Sequence, residues 1–100
     1  MFAFETDLDA LSNKARDAIK ARKYDEAERR CQKLLREYPE VLDGHWCSAE
    51  LREAQGRFQE AAEHFTKTLE MIAQTPEAFG KRLVQNLTAR RDQVLAKTKP

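Results

Sequence analysis

The sequence predicts an all-α fold: an α-solenoid of antiparallel helix-turn-helix repeats with about five helices. Three observations carry this reading. Good helix formers (Ala, Leu, Glu, Lys, Arg and Gln) dominate the 100 residues, while Val and Ile are scarce. Glycine and proline number three each, too few for a loop-rich chain. The sequence also repeats itself: Tyr24, Glu26, Ala27, Cys31 and Leu35 recur as Phe58, Glu60, Ala61, Phe65 and Leu69, each 34 residues later.

Helical periodicity and punctuation place the helices at about 8–21, 25–38, 41–54, 58–73 and 76–96. For the first, Thr6 followed by Asp9 resembles a capping box with Asp in place of Glu. Asp25 stands where it can cap the second. Pro39 closes the second helix and, with it, the first repeat. Gly56 suits a tight turn between helices three and four because it tolerates positive φ. Thr75 and Pro76 read as the cap and first turn of the fifth helix, whose Phe79, Leu83, Val84, Leu87, Val94 and Leu95 recur at helical spacing. The domain organisation is then an N-terminal segment at 1–7, repeats at 8–41 and 42–75, and an amphipathic capping helix within 76–100. A capping helix is preferred to a third repeat, since Leu83 stands where a small residue is expected and the chain ends at Pro100.

A 34-residue period on helical sequence, with aromatic-x-x-Ala, a bulky residue four later and Leu four later still, resembles the tetratricopeptide repeat. That resemblance assigns structural roles. Ala15, Ala27, Ala49 and Ala61 are small where helices cross closely. Tyr24 and Phe58 plug the turns. Leu35, Phe65 and Leu69 fill the repeat, and Pro39 and Gly56 punctuate it. It implies no enzyme and no cofactor, but an adaptor or scaffold that binds a protein or peptide segment in a concave groove lined by the first helix of each repeat. Carried over by position, that groove is Asp9, Ser12, Arg16, Asp43, Trp46, Glu50 and Glu53, continued by Glu77, Gly80 and Val84. Acids outnumber bases in this set, which points to a basic or mixed-charge ligand. Trp46 stands one residue off the family's aromatic, so groove-facing and core-facing placements both stay open. A chaperone-tail carboxylate clamp is rejected, because Ser12, Arg16, Cys47, Glu77 and Lys81 stand at its positions and Glu77 opposes an anion.

Fewer than three full repeats leave apolar ends that need cover. The capping helix supplies some of it, laid on helices three and four. Phe2 and Phe4 fold back on the first helices or pack against a second chain, so a self-assembling homo-oligomer is the alternative to the adaptor. The formal net charge of +1 gives no bulk pull toward nucleic acid or membrane. Lys81, Arg82, Arg90, Arg91, Lys97 and Lys99 against Glu77 and Asp92 make the C-terminal segment basic, but without interleaved aromatics nucleic acid is the weaker reading. No apolar run approaches the ~20 residues of a membrane helix. The short apolar start is followed by acids, unlike a signal peptide. Two cysteines are too few for a disulfide framework, which fits a cytoplasmic setting. Cys31 reads as a buried inert thiol. His45 and Cys47 do not share a helix face, so His45, Cys47 and His64 do not read as a metal site. No catalytic constellation appears. Glu26–Arg30, Glu53–Arg57 and Glu63–Lys67 read as helix-stabilising pairs.

Overall fold

A computed structural model describes residues 7–98, and among these every regular element is helical. Helix α1 runs Asp7–Lys20, α2 Tyr24–Glu37, α3 Asp43–Ala54, α4 Phe58–Gln74 and α5 Lys81–Ala96, with a 3-10 turn at Pro76–Ala78 before α5. The first four lie within two residues of expectation. Thr6, Phe2 and Phe4 fall outside the described residues, as does the capping box built on Thr6.

Consecutive helices pack side by side, and α1 also touches α3. Ala15, Ala27, Ala49 and Ala61 are each 0% exposed, the first two in one core cluster and the last two in the other. Both intra-repeat turns close in the same way. Arg22 N–H donates to the Ile19 carbonyl and Lys23 N–H to that of Ala18; Gly56 N–H donates to Glu53 and Arg57 N–H to Arg52. This paired closure needs a left-handed residue just past the helix end. Gly56 supplies it with φ 76°, and Arg22 adopts φ 60° at the equivalent point of the first repeat.

Two clusters form the core. One joins α1, α2 and α3 through Ala15, Ala18, Ala27, Cys31, Leu34, Cys47 and Leu51. The other joins α3, α4 and α5 through Phe65, Ile72, Leu87 and Val94 among others. Leu35 is half-buried and packs on α3, where a Cβ on Gly44 would stand 2.8 Å from its Cδ2. Leu69 and Phe58 pack against the second cluster, Tyr24 against the first, and Pro39 lies exposed in the turn after α2.

Three local expectations are corrected. Asp25 is not a cap: Lys23 holds that position with no side-chain bond, and Asp25 sits in the first turn, where its charge suits the helix dipole. Thr75 flanks the 3-10 turn without a side-chain cap bond. The fifth helix does not start at Pro76. Phe79 and Gly80 are extended, with ψ 146° and 156°, and the α-helix begins only at Lys81. Half-buried Phe79 is drawn onto the second cluster there, so the chain turns before α5 lies along α4.

Candidate docking groove

The first helix of each repeat, α1 and α3, and the cap α5 together line a groove. α3 forms its floor, α1 one wall and α5 the other. The cavity at its open end has a volume of about 430 Å3. Ile19, Ala54 and Phe58 give it apolar surface. Its charged lining is Arg16 and Lys20 from α1, Glu50 and Glu53 from α3, Arg90 from α5 and Lys97 just past the end of α5.

An ion ladder crosses the groove and joins all three units. Arg16 Nε donates to Glu50 Oε1 at 3.2 Å. Arg90 reaches Glu50 Oε2 at 3.1 Å and Glu53 Oε1 at 2.7 Å. Burial works against the charge on Arg16 and Arg90, but Cys47, Glu50 and Asp43 around the first and Glu53 and Glu50 around the second outweigh it and hold both pKa values above the usual one. The two guanidiniums also cover aromatic faces, Arg16 over Trp46 at 5.0 Å and Arg90 over Phe65 at 5.1 Å.

Of the residues assigned to the groove from sequence, six come together. Buried Ser12 donates to Asp43 Oδ2 at 2.7 Å, so these two satisfy one another across α1 and α3. Arg16, Glu50 and Glu53 form the ladder. Trp46 lies half-buried on the groove side, against Arg16 from α1 and beside Leu83, Leu87 and Arg90 of α5, while also packing on the second core cluster. Both placements left open by the sequence are thus partly realised. Asp9 is exposed on α1 and Glu77 is exposed on the 3-10 turn; neither lines the cavity. Val84 is 36% exposed, the only large apolar side chain so exposed among the described residues.

The balance of charge differs from the expected one. Glu50 and Glu53 are engaged by arginines, and the cavity has four cations against two acids. Lys20 and Lys97 have no carboxylate partner among the described residues; Lys97 instead stands 5.0 Å over the Phe58 ring. Of the basic C-terminal residues, Arg90 is in the ladder and Arg91 pairs with its neighbour Asp92, while Lys81 and Arg82 are exposed. Lys99 lies outside the described residues. Two surface pairs are also corrected. Arg57 bonds Glu60 rather than Glu53, and no ion pair joins Glu63 to Lys67 among the described residues; Glu26–Arg30 does form, at 2.9 Å.

The thiols are not nucleophiles at neutral pH. Burial pushes Cys31 up to about 11, and pushes Cys47 up to about 12 despite the nearby Arg16. No helix among the described residues is long and apolar enough to cross a membrane.

Sequence reasoning missed Arg90, Ile19, Lys20, Ala54 and Lys97. Position 90 is 34 residues past Gly56, where another turn would fall. No glycine stands there, so α5 runs on and carries Arg90 and Lys97 to the open end of the groove. The missing turn residue was the available signal.

A family model described as tetratricopeptide repeat matches residues 12–78. No curated protein and no solved structure matches the chain significantly. The match covers two thirds of the chain, from within α1 to the turn before α5, and the chain belongs to the tetratricopeptide-repeat family.

Proposed function

We propose that this tetratricopeptide-repeat chain is a non-enzymatic adaptor that holds a peptide segment of a partner protein in the groove between α1 and α5. Domains of this family generally mediate protein–protein interactions. The observation that carries the finer reading is the open cavity, with its apolar patch of Ile19, Ala54 and Phe58 beside Lys20 and Lys97, which have no carboxylate partner among the described residues. A cavity of this size and lining takes an apolar side chain. The free cations favour a carboxylate next to it. A purely basic ligand loses its ground, because the acids that were to meet it are already bonded to Arg16 and Arg90.

The test is selection from a displayed peptide library on the wild type and on a Lys20→Glu, Lys97→Glu variant. Both lysines are exposed, so the substitutions leave the core alone. The expected result is enrichment of peptides with an apolar residue flanked by Asp or Glu, lost on the variant. Enrichment of basic peptides, or equal retention by both proteins, would contradict the reading.

A further inference from the structure

His45 on α3 and His64 on α4 face each other away from the groove. Their Nδ1 atoms are 3.1 Å apart, and the ring centroids are 5.3 Å apart with the planes 34° from parallel. Both rings are half-buried, so solvent reaches the pair. The antiparallel α3–α4 hairpin makes the contact: it turns at Gly56, which sets residue 45 opposite residue 64.

We infer that His45 and His64 together form a binding site for one borderline divalent transition-metal ion of the Zn2+, Ni2+ or Cu2+ kind, held through the two Nδ1 atoms with water completing the shell. Imidazole nitrogen is a preferred ligand for these ions. A metal–nitrogen bond of about 2.0–2.1 Å sets two ligating nitrogens about 2.9 Å apart at a right angle and about 3.3–3.4 Å apart at the tetrahedral angle. The observed separation lies between these values. Insertion of the ion replaces one N–H···N hydrogen bond by two coordinate bonds. It requires each ring to turn about χ2, a broad torsion, and both protons to reside on Nε2.

The surroundings are mixed in charge. Glu60 and Glu63 of α4 and Glu28 of α2 favour a cation near His64, and Arg52 of α3 opposes it; Lys67 opposes it near His45. Burial lowers both imidazole pKa values, with the His64 ring and Lys67 adding to it at His45 and Arg52 at His64. Among the described residues no cluster of three or more His, Cys, Asp or Glu side chains is placed to hold a metal. The site is therefore a two-ligand, exchangeable one, unlike a closed structural zinc centre.

The test is titration of chelator-stripped protein with Zn2+ at pH 7.5, followed by calorimetry and by the imidazole proton resonances. The expected result is one ion per chain, with both histidine resonances moving together. The melting temperature should rise with Zn2+ concentration, as for any ligand that binds the folded state alone. His45→Ala and His64→Ala should each weaken binding about tenfold or more. The resonances of the unsubstituted protein decide the matter even if a variant folds poorly. Unmoved histidine resonances at millimolar Zn2+, or an affinity left unchanged by either substitution, would overturn the inference.

Discussion

The two repeats share one backbone and differ in what fills it. Their turns close with the same pair of hydrogen bonds, and their four alanines are equally buried. Between them, however, Cys31 answers to Phe65, Leu34 to Thr68 and Arg22 to Gly56. The first cluster is built mainly from alanine and cysteine with two leucines; the second adds Phe65 and Ile72 and gains Leu87 and Val94 from the cap. Even the buried Thr68 hydroxyl is satisfied within its own helix, donating to the His64 carbonyl at 2.8 Å. The repeat's geometry thus rests on a few small residues and a turn. Its stability depends on the bulk of the remaining buried positions, and that bulk is concentrated in the second repeat and the cap.

The sharpest contrast is between equivalent core positions. Phe65→Ala should cost about 3–5 kcal/mol in urea unfolding, whereas Cys31→Ala should cost about 1 kcal/mol, the order of one small buried group. Equal losses would show that the two clusters carry the same load. The turns come next. Gly56→Ala should cost about 1 kcal/mol, because a Cβ is disfavoured at φ 76°. Arg22→Gly should do the reverse, raising stability by less than about 1 kcal/mol, since relief at φ 60° is partly offset by the entropy that glycine adds to the unfolded chain. Destabilisation by Arg22→Gly would mean that its side chain matters more than its backbone.

Arg90→Ala severs the cap from the floor of the groove. Its side chain is 36% exposed, so solvent screening limits the expected loss to about 0.5–1 kcal/mol. The same change should weaken peptide capture, because Glu50 and Glu53 would then face the cavity with fewer cations. The smallest effect is kinetic. Cys31 and Cys47 both lie in the first cluster with pKa values near 11 and 12, so a thiol reagent at pH 8 must wait for that cluster to open. Their labelling should run faster than amide exchange in the middle of α4. Labelling slower than that exchange would place the weaker unit at the other end.

Much of this was legible in the sequence. The 34-residue match gave the register of four helices, and the resemblance to the repeat family, with the steric need for small residues, pointed to Ala15, Ala27, Ala49, Ala61 and Gly56. The break at Phe79–Gly80 was not legible: Thr75 and Pro76 resemble a helix start, and only tertiary packing of Phe79 shows that the helix waits until Lys81. The charge of the groove was misread for a related reason. Glu50 and Glu53 look free along α3, and their partners Arg16 and Arg90 lie 34 to 40 residues away. The meeting of His45 and His64 could have been found from the antiparallel pairing about Gly56, in which Ala49 stands opposite Ala61, rather than from spacing along one helix.

The measurement that tests the docking groove most directly is a backbone amide spectrum of the protein titrated with an apolar-acidic peptide taken from the display selection. The account predicts that the perturbed amides cluster at Ile19, Lys20, Ala54, Phe58 and Lys97, on α1, α3, α4 and the end of α5, which meet at one cavity. Perturbations confined to the exposed positions of α2 and α4, such as Arg29, Lys33 and Glu63, with the groove silent, would contradict it.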